Sequence, residues 1–146
     1  MTTLPIVVEQ IFDAPVKKVW SAITDADEMK NWYFHLHDFK PEVGFQFQFT
    51  GGTEEGVRYL HVCEITEVEP QQKLTYTWCY DGFEGVSFVS FELSPQNEKT
   101  QLRLTHSGLE TLPADNPDFN PVNFEKGWKE IIGNSLKQYL HAIPRH

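Results

Sequence analysis

The C-terminal end of the chain limits its fold most. A strand-like stretch from Thr100 to Thr105 runs into His106-Ser107-Gly108. A loop carrying Pro113 and Pro117 follows, then one long amphipathic helix around Gly127-Trp128. The spacing predicts this helix from about Phe119 or Asn123 to Ala142. Phe124, Trp128, Ile131, Ile132, Ser135, Tyr139 and Ala142 share one face, and Lys126, Lys129, Glu130, Lys137 and His141 the other. At roughly 1.5 Å per residue the helix spans about 30 Å, enough to cross a sheet. A single long helix after a run of hairpins has one economical use, to lie across the concave face of a curved antiparallel sheet. Such a fold encloses a pocket.

The preceding residues supply that sheet. Residues 4–12 are rich in Ile and Val and read as a first strand, stopped by Asp13-Ala14-Pro15. Val16, Val19, Trp20 and Ile23 then give a short helix with one apolar face. Asp25 and Glu28 resemble a capping box for a second short helix carrying Met29, Trp32 and Tyr33, with Thr24 a competing cap. From residue 43 the period becomes two. Phe45, Phe47 and Phe49 alternate with Gln and Thr, and Gly51-Gly52 opens a turn. Residues 58–69 form a strand with a bulge, because no single alternation fits them. Leu74, Tyr76 and Trp78 alternate next, then Val89, Phe91 and Leu93, then Leu102, Leu104 and His106.

A two-residue turn at Gly82-Phe83 pairs Tyr76 with Val89 and Leu74 with Phe91. A turn near Gln96-Asn97 places Val89 by Leu104 and Ser87 by His106. Every apolar set then falls on one face. The same logic sets Ile65 opposite Tyr76 and Cys63 opposite Trp78, with Cys79 outward; both cysteines are read as reduced thiols.

The net charge of −9 and the lack of a basic run argue against nucleic-acid binding. No apolar run reaches membrane-spanning length and no signal peptide is apparent, so a cytoplasmic location is expected. Eleven Phe, five Tyr and four Trp supply either a generous core or an aromatic-lined cavity. The length suits one domain, residues 1–146.

Several residues invite chemistry. His35-x-His37 and His61 are read as surface and loop histidines, because a zinc site needs three or four convergent ligands. His106 faces inward. It either orients a ligand oxygen or, the favoured reading, is hydrogen-bonded to backbone or Ser87 and fixes the strand end. No nucleophile elbow surrounds Ser107 or Ser135, and Gly51-Gly52 is no phosphate loop. Gly133 is assigned to the outer side of the helix. No metal, cofactor or catalytic residue is assigned.

Asp13-Ala14-Pro15 with Val19-Trp20, Trp32-Tyr33, Leu74-Thr75-Tyr76-Thr77-Trp78, Thr105-His106-Ser107-Gly108 and Gly127-Trp128 together resemble the activator of heat-shock-protein-90 ATPase homologue family. That family lies within the Bet v 1-like, or START-like (SRPBCC), superfamily, and the likeness covers nearly the whole chain. It implies an α+β helix-grip fold, with six to seven strands wrapped around the long C-terminal helix and two short helices after the first strand. It also implies a deep apolar cavity. The expected function is binding of a hydrophobic, aromatic or lipid-like small molecule without catalysis. Trp32, Phe47, Tyr76, Trp78, Phe91, His106, Trp128, Ile131 and Ser135 would line the site, with the 108–118 loop and the Trp32 region at its mouth. Two alternatives stand beside it, a co-chaperone-like protein-interaction module and a cyclase- or aromatase-like enzyme. A monomer or weak homodimer is expected.

Overall fold

The computed structural model describes residues 5–33, 36, 38–52, 58–113 and 115–142. Six strands form one antiparallel sheet: β1 (Ile6–Phe12), β2 (Gln46–Gly52), β3 (Arg58–Glu69), β4 (Lys73–Tyr80), β5 (Ser87–Gln96) and β6 (Lys99–Ser107). Their order is β1-β6-β5-β4-β3-β2, so β1 closes back onto the last strand and β1 and β2 are the edges. Two short helices, α1 (Val16–Thr24) and α2 (Ala26–Met29), connect β1 to β2. The C-terminal helix comprises α3 (Pro121–Glu130), a wider π-helical turn (Ile131–Leu136) and α4 (Lys137–Ala142). This is the α+β helix grip that the period changes predict.

The sheet is one-sided. Ile6, Val8 and Phe12 of β1, Leu74, Tyr76 and Trp78 of β4, Val89, Phe91 and Leu93 of β5, and Leu102, Leu104 and His106 of β6 are buried. The expected pairs Tyr76–Val89, Leu74–Phe91 and Ile65–Tyr76 form, and the bulge lies between Ile65 and Glu67. Cys63 is buried, Cys79 is half-buried, and neither is in a disulfide.

Three local expectations shift. The β5–β6 turn is centred on Asn97-Glu98, because Gln96 pairs with Lys99 and Asn97 takes the left-handed conformation (φ 62°). Val89 therefore faces His106, and Phe91 faces Leu104. A turn displaced by one residue moves the register by two, which keeps every side chain on its face. The β4–β5 connection is longer than two residues, because pairing ends at Trp78–Ser87. Gly51 and Gly52 belong to β2 rather than to a turn; residues 53–57 lie outside the described set.

The helix starts are also specific. Pro15 stands one residue before α1, with its carbonyl accepting from the Lys18 and Val19 amides. Asp25 caps α2 by accepting from the Asp27 amide. Glu28 does not complete a capping box; it accepts from the Ser21 hydroxyl and, at 2.9 Å, from the Tyr139 hydroxyl. Thr24 is not a cap either, because its hydroxyl donates back to the Trp20 carbonyl within α1. α2 ends at Met29, so Trp32 and Tyr33 sit in the turn beyond it. Asn120 caps α3 through the Val122 amide.

The C-terminal helix buries Trp128, Ile132, Leu136 and Leu140, while Ile131, Ser135 and Tyr139 are only half-buried. The expected face therefore rotates. Residues four apart drift by about 40° per step in an ideal helix of 3.6 residues per turn. The π turn, with its wider repeat, takes part of that drift back. A four-residue ladder thus stays against the sheet. Gly133 is half-buried, and a Cβ there would lie 3.8 Å from the Gln10 side chain of β1, so it faces the sheet edge rather than solvent.

This helix phase has a direct test. Leu136→Ala should cost about 2–5 kcal/mol, as for a fully buried Leu. Ser135→Ala should change stability by less than about 1 kcal/mol. Urea midpoints of the two variants would check the order, and equal losses would contradict the π-turn phase.

Candidate functional site

The interior begins with a chain of hydrogen bonds that ties the C-terminal helix to three strands. Trp128 Nε1 donates to His106 Nδ1 at 2.9 Å. An indole N–H can only donate, so Nδ1 is the unprotonated ring nitrogen. The neutral ring therefore carries its hydrogen on Nε2, which donates to Ser87 Oγ at 2.9 Å. The Ser87 hydroxyl then donates to the Trp78 carbonyl at 2.6 Å. Both ring nitrogens of His106 are engaged within the protein. Burial lowers its pKa to about 3, so the ring is neutral at physiological pH. The bond to Ser87 is the favoured sequence expectation; the bond to Trp128 joins the Thr105–Gly108 stretch to Gly127-Trp128.

Around this chain, aromatic rings form a column between sheet and helix. Tyr33 stacks on Trp32 (centroids 4.8 Å apart) and on Trp128 (6.2 Å), and lies 6.0 Å from Phe49. Its hydroxyl meets that of Tyr76 at 2.7 Å. Phe47 packs edge-on to Tyr76 at 5.0 Å, Trp78 lies 5.4 Å from Trp128, and Phe91 packs edge-on to Trp128 at 6.2 Å. His61 is buried, not on the surface as expected. It stacks on Phe49 at 4.5 Å, and its Nδ1–H donates to the Tyr59 carbonyl at 3.1 Å. Burial lowers its pKa to about 4. Burial also raises the pKa values of Tyr33, Tyr76, Tyr80 and Cys63, keeping all four protonated.

A cleft of about 570 Å³ opens beside this column. It is lined by Asn31, Trp32 and Tyr33 from the turn after α2 and by Ser135, Gln138 and Tyr139 from the helix. Trp32 is buried, and its indole N–H donates to the Ala22 carbonyl at 3.0 Å. Of the residues expected to line a site, Trp32 and Ser135 flank this cleft. Phe47, Tyr76, Trp78, Phe91, His106 and Trp128 are buried in the core and do not line it, and Ile131 lies half-buried on the helix. A second cleft, about 560 Å³, lies outside α1 and α2, with Lys17, Asp25, Asp27 and Asp38 in its lining. Among the described residues no group of His, Cys, Asp and Glu could hold a metal ion; His35 and His37 lie outside those residues.

Residues 13–141 match the family described as activator of Hsp90 ATPase homolog 1-like protein. The chain belongs to that family. No curated protein matches the sequence. Among solved structures, protein MLL2253 from Mesorhizobium loti is 28% identical, with 97% of this chain and 100% of that one covered and a TM-score of 0.74. CalU16 from Micromonospora echinospora is 27% identical over 94% of this chain and 76% of its own, with a TM-score of 0.72. DynU16, from the dynemicin biosynthetic locus, shares the fold at 24% identity and a TM-score of 0.75, over 94% of this chain and 47% of that chain. The architecture is thus the helix grip of the activator-homologue family, and among the described residues no helix is long and apolar enough to cross a membrane.

In this family member the 108–118 loop is fastened down. Leu109 and Leu112 are buried, and the Thr111 hydroxyl accepts from the Val86 amide and donates its one hydrogen to the Gly108 carbonyl at 2.7 Å, with the Val86 carbonyl as the alternative acceptor at 2.9 Å. Gly85 (φ 103°) lies so close that a Cβ would come within 2.2 Å of the Thr111 carbonyl oxygen, which requires glycine there. Asp118 accepts from the Tyr59 hydroxyl, and the following Phe119 is wedged against Tyr59, Tyr80 and Phe83. The loop is thus packed against the β4–β5 connection and Tyr59, and none of its residues lines the cleft beside Tyr33. Tyr33, Phe49 and His61 join the column without having been expected as site residues. The parity of β3, where Cys63 and Ile65 face inward, was the available signal for His61.

Burial of two neutral histidines sets a pH dependence. The unfolded chain binds protons near pH 6.5, where the folded rings do not. Their contribution is therefore complete above about pH 6.5 and is lost as pH falls toward the folded values. Stability should fall by about 1.4 kcal/mol per pH unit for each histidine in this window. Urea titrations at pH 7 and pH 5.5 should show this loss, and His106→Gln should remove about half of it. An unchanged slope in the variant would contradict a buried neutral His106.

Proposed function

We propose that this chain is a non-catalytic binding domain for a hydrophobic, aromatic or lipid-like small molecule. The observation that carries the reading is the cleft between the Trp32–Tyr33 turn and the C-terminal helix, which opens directly onto the aromatic column. Small-molecule sites commonly set a few convergent polar groups against apolar walls; the exposed lining of this cleft is mostly polar, so the apolar contact has to come from the rings of Trp32, Tyr33 and the column. Trp32 and Tyr33 supply apolar surface at the mouth, and Ser135 and Gln138 supply polar atoms. Tyr76 stands behind them, reached through Tyr33. The rim is small on the helix side because Ser135 lies on the half-buried edge.

The fold likeness to DynU16, of a biosynthetic locus, favours a second reading, in which the same cleft serves a reaction. His106 is poorly placed as its general acid, because both ring nitrogens are already hydrogen-bonded and its pKa lies far below neutrality. An acid must reach its substrate with a proton to give. The carrier reading asks for no such group. Monomeric or weakly dimeric behaviour and a cytoplasmic location belong to the same proposal.

Thermal shift against fatty acids, sterols and flavonoids tests it. At least one class should raise the melting temperature in a concentration-dependent manner. Ser135→Trp, which fills the cleft, should weaken that ligand by about tenfold or more. No stabilisation by any class, or full affinity in Ser135→Trp, would count against the site.

A further inference from the structure

Tyr33 differs from the other rings of the column. Phe47, Phe49, Tyr76, Trp78 and Trp128 are fixed on strands or on the long helix and are buried. Tyr33 comes from the short turn after α2 and is half-buried, with one side on the cleft. Its contacts are those a bound aromatic molecule would make. It stacks on Trp32 and Trp128, meets Phe49 at a tilt, and places one oxygen 2.7 Å from the Tyr76 hydroxyl.

We infer that the Tyr33 ring is a resident occupant of a ring subsite, and that the guest is a planar aromatic molecule bearing an oxygen that takes over the bond to Tyr76. The inference rests on the carrier reading above and names its ligand class. Rotation of Tyr33 into the cleft vacates a slot bounded by Trp32, Phe49, Trp128 and Tyr76. Rings bound the slot, and rotation takes from the buried Tyr76 hydroxyl its Tyr33 partner. A buried hydroxyl without a partner is unfavourable, so a guest with an oxygen at that point is preferred over a hydrocarbon of the same shape. The cleft, about 570 Å³, has room for the displaced ring. A ring seated in nine molecules of ten lowers a guest's apparent affinity about tenfold, because only the remainder is competent to bind.

The test uses p-cresol, toluene and 1-naphthol with the full chain. Tyr33→Ala should bind p-cresol at least about tenfold more tightly than the wild-type protein does. Tyr33→Leu, which keeps more of the packing, should show the same direction and covers the case in which the alanine variant folds poorly. Both variants should prefer p-cresol to toluene, and adding Tyr76→Phe should reduce that preference severalfold. In wild-type protein labelled with 3-fluorotyrosine, whose five tyrosine signals are assigned by Tyr→Phe variants, 1-naphthol should shift the Tyr33 resonance toward the exposed position. Saturable 1-naphthol binding with that resonance unmoved would overturn the displacement and leave the carrier reading intact. No saturable binding of any ring to the wild-type protein or to either Tyr33 variant would overturn both.

Discussion

The structure depends on how one helix is held against one sheet. Trp128, His106, Ser87 and the Trp78 carbonyl form a run of hydrogen bonds that crosses from the helix through β6 and β5 to β4. Each donor finds an acceptor, and the run is buried. A satisfied buried network fixes geometry, whereas the loss of one member leaves polar atoms stranded in a low-dielectric interior. The apolar ladder Trp128, Ile132, Leu136 and Leu140 supplies most of the burial on the helix side, and it would tolerate some sliding. The histidine does not, because its two nitrogens face two specified partners. Thr100 adds a similar tie at the other end of β6, where its hydroxyl donates to the Ala14 carbonyl at 2.7 Å.

With the helix fixed, the space beneath it is defined, and aromatic rings occupy it. Rings bury a large area, and they carry polar handles at the edge. In this interior most handles are used within the protein: the Trp78 indole N–H donates to the Tyr80 hydroxyl at 2.8 Å, and Tyr33 and Tyr76 share one bond. The space beneath the helix is therefore filled by the protein's own rings. The sequence resemblance, by contrast, implies a deep apolar cavity in the same place.

The fold was legible in the sequence because its signals are periodic. Alternation in β4, β5 and β6 named the inner face, and that face survived a turn misplaced by one residue, since the resulting two-residue slip preserves parity. The helix phase was less legible. Ile131 and Ser135 fall on the inner face of an ideal helix, and nothing in Ile-Ile-Gly-Asn-Ser-Leu announces a π turn. Partners distant in sequence were least legible. Tyr33 meets Tyr76 across 43 residues and Glu28 meets Tyr139 across 111. Local spacing cannot encode such pairs, so Glu28 reads as a cap until the long helix is in place.

The 108–118 loop and the Glu28–Tyr139 contact fasten the grip by different means. At the 108–118 end, Leu109, Leu112 and Phe119 are buried, the Thr111 hydroxyl accepts from the Val86 amide and donates to the Gly108 carbonyl, and Asp118 holds Tyr59. Releasing that end means exposing three apolar side chains together, each worth about 1.5–3 kcal/mol of burial. At the Tyr33 end, the helix is joined to α1 and α2 through Glu28, whose carboxylate accepts from Ser21 and Tyr139. Bonds to a charged carboxylate are worth about 1.5–3 kcal/mol each, and Met29, Leu136 and Leu140 of the same elements are buried as well. Apolar burial is thus common to both ends, and what differs is the polar tie: contacts to the Val86 and Gly108 backbone fasten the loop, and a single carboxylate, Glu28, joins α1 and α2 to the long helix.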